Sequence, residues 1–415
     1  MKVAIVYPRA NIDTVPSLIG ASEQFAEAGY EVDLYTYRHA RDPSPSFAAP
    51  GLKLRPLGLE GLADQSTAGL RSMLKRAGWL PDAARAPLAR TYQALSAGLA
   101  SGTRLAARAR SAVLERPEAY TCVIGVDPDG LEMAHAVARG GPVGYYSLEL
   151  LLSADLTTAA EIQLKVRERE LSRQAAFVVV QDEDRARLLV DDNTIDWERI
   201  VLVPNAPLGP ARRTPSHYWH ARFDLPEDTR VVIHSGSLGA WTGIEQIVAS
   251  AHAWPSGWAL VIHTRYDAES SAYVDGLRRS ADQWRVHFSL KPVPRQEYDP
   301  LIDGGDVGIA FYVPNDGSAF TQRNVQTIGL SSGKLAYYLR SGLPVIVNRA
   351  SSIAPLIEQT GSGVAVSDAA EIGPALDRIA TDYDTRSISA MQFFNERLDF
   401  RKAFAEVVRR VDALR

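Results

Sequence analysis

Residues 230–243 read Arg230-Val-Val-Ile-His-Ser-Gly-Ser-Leu-Gly-Ala-Trp-Thr-Gly243. A β-branched run of strand length passes into a turn containing three glycines, and a segment of helical period begins near Gly243. A strand that turns through glycines into a helix is the repeating unit of a parallel α/β sheet. The same alternation continues downstream, with strands expected at residues 258–263, 285–290, 307–312 and 344–348. Upstream it begins at residues 2–7, followed by a helical period over 15–28 and Gly29 where a helix C-cap belongs. Strands at 31–37, 123–126, 143–146 and 177–180 follow, and Val201-Leu-Val-Pro-Asn205 closes the series. Between the halves lies a polar stretch with Pro207, Pro210, Arg212, Arg213 and Pro215, which reads as a linker. The expected fold class is therefore α/β: two Rossmann-like, doubly wound domains facing a cleft, with a boundary near residue 206.

The chain has 415 residues, 46% of them apolar and 23% charged, and a formal net charge of -4. That charge excludes a general nucleic-acid binder, which needs a basic surplus to neutralise phosphates. The single cysteine, Cys122, excludes an internal disulfide and a thiolate metal cluster, and it sits in an apolar run as a small strand residue. Eight histidines show no His-x-x-x-His spacing, so no zinc site is expected. The start carries one charge and a short apolar run, and no stretch approaches ~18 apolar residues, which points to the cytoplasm. Residues 71–118 are Ala- and Leu-rich and carry nine Lys or Arg against three Asp or Glu. They read as a solvated helical layer, or as a basic surface for peripheral contact with anionic lipid at the inner face of the membrane or for a phosphate-bearing acceptor.

In paired doubly wound domains the ligand lies at the carboxyl ends of the strands, so the residues after each strand carry the functional reading. The turn His234–Gly243 offers Gly236, Ser237, Gly239 and Thr242, where backbone N–H groups can approach an anion. A tight strand-to-helix turn is the alternative. Gly329-Leu-Ser-Ser-Gly-Lys-Leu-Ala-Tyr-Tyr-Leu-Arg-Ser-Gly-Leu-Pro-Val-Ile346 reads as loop, helix, glycine stop and strand. Ser331 or Ser332 would cap that helix, and Gly333 and Lys334 would occupy its first turn. A lysine there opposes the helix dipole by a few tenths of a kcal/mol unless an anion is present. In the first half, Asp127 and Asp129 of Asp127-Pro-Asp-Gly130 follow one strand, and Glu149 follows another. All three point to the acceptor side, and no metal role is expected for the aspartates.

The string Ser332-Gly-Lys-Leu-Ala-Tyr-Tyr-Leu-Arg-Ser-Gly-Leu-Pro-Val-Ile346 resembles the donor-site helix and strand of the retaining family 4 glycosyltransferases, which have the GT-B fold. Val201–Asn205 is similar to the end of their first domain, His234–Gly243 to their phosphate loop, and residues 393–414 to the helix that crosses back. The resemblance implies an acceptor-binding domain over 1–206, a nucleotide-sugar-binding domain over 207–390 and a returning helix over 391–415. It implies a glycosyltransferase that needs no cofactor and takes a nucleotide diphosphate-sugar, UDP favoured, to a glycan, lipid-linked or small-molecule acceptor. On it, Lys291 and Val293 fall where the backbone meets the nucleobase, and Asp127 falls near the reacting carbon. Asn324 would then reach sugar hydroxyls. The sequence departs from the family at four places: Ser237 and Thr242 replace a basic pair, and Gly329 and Tyr337 replace two glutamates. Lys334 and Arg265 are left to supply charge for the diphosphate. Two other readings stay open, a sugar-nucleotide epimerase of the same fold and a non-catalytic binding partner.

Overall fold

A computed structural model describes residues 1–39, 51–60 and 119–415. The basic segment 71–118 lies outside the described residues. The first sheet holds β1 (Lys2–Tyr7), β2 (Glu31–His39), β3 (Leu52–Glu60), β4 (Cys122–Val126), β5 (Val143–Tyr146), β6 (Phe177–Val180) and β7 (Ile200–Leu202). They run in the order β3-β2-β1-β4-β5-β6-β7, every pair parallel. The second holds β8 (Arg230–Ser235), β9 (Trp258–His263), β10 (Val286–Ser289), β11 (Val307–Ala310), β12 (Val345–Asn348) and β13 (Gly363–Val366), in the order β10-β9-β8-β11-β12-β13. The strand order reverses between β1 and β4 and again between β8 and β11, which makes these two places the switch points where ligands of such sheets sit.

The helices of the first half are α1 (Pro16–Glu27), α2 (Asp127–Ala138), α3 (Ala159–Ser172) and α4 (Glu183–Asn193). Then come α5 (Tyr218–Phe223), α6 (Ile244–Ser250), α7 (Ala272–Ser280), α8 (Arg295–Asp303), α9 (Arg323–Gln326) and α10 (Gly333–Arg340). The chain ends with α11 (Ala354–Thr360), α12 (Ile372–Thr381), α13 (Tyr383–Arg397) and α14 (Phe400–Asp412). No helix among the described residues is long and apolar enough to cross a membrane.

Two strands, β3 and β13, were not expected. In β3, Pro56 interrupts an alternation of leucine and basic residues, which hides the strand; the proline is tolerated because β3 is an edge of the sheet. Both sheets are covered by apolar side chains, and one continuous core joins β1 and β4 to α10, α13 and α14. The α14 helix packs on α1 through Phe400 and Phe404, stacked 5.1 Å apart, and Phe25 meets Phe404 edge-on at 5.2 Å. Gly20 makes this approach feasible, since a Cβ there would stand 2.8 Å from the Phe400 ring. By contrast α13, in which residue 391 falls, stays on the second sheet's side, where the Ser387 hydroxyl donates to the Gly342 carbonyl at 2.7 Å. The return to the first domain is thus made by α14.

Candidate functional site

The second switch point brings the two expected loops together. Past β8, the Gly236 N–H is anchored on the His263 carbonyl at 3.0 Å. A Cβ at Gly236 would lie 3.6 Å from Lys334 Cδ, so the lysine stem runs along the bare glycine. His234 is buried, and its Nε2 faces the Ser237 carbonyl at 3.3 Å. Burial and the neighbouring Lys334 ammonium hold its pKa well below the usual histidine value, so it stays neutral. Ser237 is exposed. Thr242 corrects the expectation: it is buried, and its hydroxyl donates to the Gly239 carbonyl at 2.7 Å, which leaves the backbone of the loop, not this side chain, to face a ligand.

At the start of α10 the Ser332 hydroxyl accepts the Leu335 N–H at 3.2 Å and also bonds the Tyr312 hydroxyl. Ser331 contributes its backbone, its carbonyl taking the Asn205 side-chain amide at 3.0 Å. Gly333 lies against Pro16 and Asn205 of the first domain, with a Cβ position 3.3 Å from Pro16 Cγ. The Gly333 and Lys334 N–H groups donate to no protein acceptor among the described residues. The Lys334 Nζ is buried without a hydrogen-bond partner. It lies over two aromatic faces, 4.9 Å from the Tyr312 centroid and 5.8 Å from that of Trp241. Burial lowers its pKa to about 7. An ammonium taken out of water with no counter-charge favours its neutral form, and an arriving anion reverses that preference.

Arg265, expected to supply charge for the diphosphate, is held by aromatic and carbonyl contacts. Its guanidinium is stacked by Tyr298 at 4.2 Å and Tyr337 at 5.0 Å, Nε donates to the Tyr298 hydroxyl at 2.8 Å, and Nη1 crosses to the Thr14 carbonyl at 2.5 Å. Tyr337 meets Tyr298 edge-on at 4.7 Å. Arg265 and Tyr337 thus form one wall that ties the domains together. Lys291 is exposed past β10, two strands from β8, and Val293 packs on the apolar core.

Across the cleft, Asp127 opens α2 with φ of 59°, a strained value for a residue with a side chain. One carboxylate oxygen accepts the Leu148 and Glu149 N–H groups, each at 2.9 Å, and the other meets Arg9 at 3.0 Å. Asp127 therefore braces the loop after β5, while Asp129 is exposed one turn position on. Glu149 is half-buried, and its Oε2 accepts the Asn324 side-chain amide at 2.5 Å. Burial first, then the Asp127 charge, push its pKa up. Its charge adds to the rise that burial produces in the pKa of the Tyr312 and Tyr7 hydroxyls. Asn324 corrects a second expectation. Its oxygen takes Leu150 N and Arg185 Nη2, each at 2.9 Å, and its nitrogen serves Glu149 and the Phe320 carbonyl, so no capacity is left for a sugar hydroxyl.

The sequence reading did not single out Tyr312, Trp241, Arg9, Arg185 or Asp182. Tyr312 was within reach of the strand-end rule, but the strand was expected to run through it and instead stops at Ala310. The open groove lined by Arg230, Asp306 and Tyr383 lies at the amino end of β8, away from these groups.

Residues 317–407 match the family model described as the C-terminal domain of glucosyltransferase 3-like proteins. A search of curated proteins finds no match. Among solved structures, sucrose-phosphate synthase from Thermosynechococcus elongatus superposes with a TM-score of 0.69 at 15% identity, over 100% of both chains. HepE from Anabaena in complex with UDP-glucose gives 0.66 at 13%, again over 100% of both. WaaG, a glycosyltransferase involved in lipopolysaccharide biosynthesis, gives 0.62 at 12%, over 100% of this chain and 99% of its own. These likenesses give the chain the GT-B glycosyltransferase fold along its whole length.

Proposed function

We propose that this protein is a glycosyltransferase that moves a sugar from a nucleotide diphosphate-sugar, UDP-linked in the first instance, onto an acceptor hydroxyl. The carrying observation is the Lys334 ammonium, buried without a carboxylate partner beside the free N–H groups of Gly333 and Lys334 and against Gly236. Diphosphate oxygens supply the charge and the acceptors that this spot lacks. The GT-B fold, and the similar HepE structures solved in complex with UDP-glucose and with UDP and glucose, support the choice of donor.

In this reading the leaving diphosphate collects negative charge as the glycosidic bond breaks, and Lys334 with the α10 amino end stabilises it. Glu149 faces the acceptor hydroxyl from the first domain. With retention of configuration, which we favour, the departing diphosphate takes the acceptor proton; with inversion, Glu149 takes it. The reading needs no metal, since both Asp127 oxygens are engaged by Arg9 and two backbone amides. A thermal-shift panel of nucleoside diphosphates and their sugars tests it. Stabilisation by UDP or UDP-sugar that is lost in Lys334→Ala and unchanged by EDTA is the expected result. A panel in which no nucleotide stabilises the wild type would remove the reading.

A further inference from the structure

Asn324 belongs to the second domain, yet three of the four hydrogen bonds of its side chain end in the first. Two N–H donors, from Leu150 and Arg185, converge on its oxygen, so the amide can face only one way. Its nitrogen is thereby aimed at Glu149 Oε2. The Arg185 guanidinium is in turn fixed, among the described residues, by neutral acceptors: the Gln181 side chain, the Leu148, Asn324 and Thr327 carbonyls, and the Asn324 side chain. The other Glu149 oxygen has no protein partner among the described residues.

We propose that Asn324 is a positioning residue through which the second domain sets the orientation and the charge of the first-domain carboxyl Glu149. The groups that face this carboxyl are Asp127 on α2, Arg9 after β1, Tyr7 at the end of β1, Arg185 on α4 and Tyr312 past β11. Burial and Asp127 favour the protonated form, while Arg185, Asn324 and Arg9 favour the ionised one. Of these, Asn324 is the group that donates a hydrogen bond to the carboxylate, and such a donor stabilises the charged form directly. A carboxyl that must meet an acceptor hydroxyl is thus held ready by the domain that binds the donor. Its service to the acceptor rests on the function proposed above, whereas its control by Asn324 does not.

The test is a carboxyl titration by NMR on full-length protein labelled with 13C at the glutamate δ carbon, with Glu149→Gln identifying the resonance. The midpoint in the wild type is expected above the usual glutamate range, and higher again in Asn324→Ala. Asn324→Asp keeps the size and both acceptor roles but replaces the donor with a second carboxylate, and should move the midpoint furthest. Where the reaction inverts configuration and Glu149 is the base, the acid limb of kcat should shift upward in the same order, with little change in KM for the donor; with retention the titration alone is the readout. Unmoved midpoints in both variants overturn the proposal, even with UDP binding intact. Failure of every nucleotide to bind would remove the transferase reading and leave the titration result standing.

Discussion

The Lys334 ammonium lies 4.9 Å from the centroid of the Tyr312 ring, and the Tyr312 hydroxyl bonds Ser332, which caps the helix that carries the lysine. The cation, its aromatic platform and the helix cap therefore form one rigid unit. Its charge state has measurable consequences.

In the folded protein Lys334 releases its proton near pH 7, while in the unfolded chain it keeps it to about 10.5. Unfolding therefore takes up a proton between these values, and on this group's account stability rises with pH from 7 to 10.5 and is lowest below 7. Lys334→Met should raise the ligand-free melting temperature at pH 6 and lose that advantage by pH 10. Nucleotide binding should show the opposite trend in the wild type, weakening as pH rises through and above 7, because the cation is what the diphosphate meets. Turnover in Lys334→Ala should fall by roughly ten- to a thousandfold, the range for losing one contact to transition-state charge. Calorimetry across pH that finds UDP affinity flat for the wild type would contradict the assignment.

Gly329 cannot be refilled with a side chain. Its φ is 41°, and a Cβ would stand 2.1 Å from Asp182 Oδ2. That same oxygen accepts the Leu330 N–H at 2.9 Å, while Oδ1 caps α4 through Arg185 N at 3.0 Å. Gly329→Ala should cost about 1–3 kcal/mol in denaturant unfolding, from left-handed strain and overpacking. Gly329→Glu, which places here the glutamate of the family the sequence resembles, should be worse and should not strengthen UDP binding, because a carboxylate of the other domain already stands in that space.

Gly20→Ala probes the returning helix. The new methyl meets the Phe400 ring, which is fully buried and stacked on Phe404, so the ring cannot swing clear. A loss of about 1–3 kcal/mol is expected by chemical denaturation. UDP binding should be kept, since the strained contact is with Phe400 on α14 and not with Pro16, through which α1 meets Gly333 of α10; a matching loss of nucleotide affinity would show that the two are coupled.

Most of the strands were legible because buried parallel strands leave β-branched runs bounded by turns, as in Val231-Val-Ile233 and Phe177–Val180. The start of α10 was legible because a capping serine and a lysine in the first turn are local features. Contacts across the cleft left no such trace. Asn324 is 175 residues from Glu149 and Asp182 is 148 from Leu330, and no periodicity relates positions so far apart. Arg265 and Asn324 were noticed from sequence as polar residues after strands and in a loop, but their partners, Thr14 in one case and Arg185 with Glu149 in the other, lie in the opposite half. Tyr312 was hidden because β11 stops at Ala310, two residues before the apolar run ends, so a loop tyrosine whose buried hydroxyl reaches Ser332 passed for a strand residue.

The polypeptide passes from one sheet to the other after Val203 and returns just before Phe400. Two stitches in one spine define a line, so any gaping of the halves is rotation about that line. Groups near the fold of the spine, such as Asn205 against Ser331, sweep a short arc. The same rotation also works on the Arg295–Glu23 ion pair, which joins α8 to α1 across the halves at 3.0 Å.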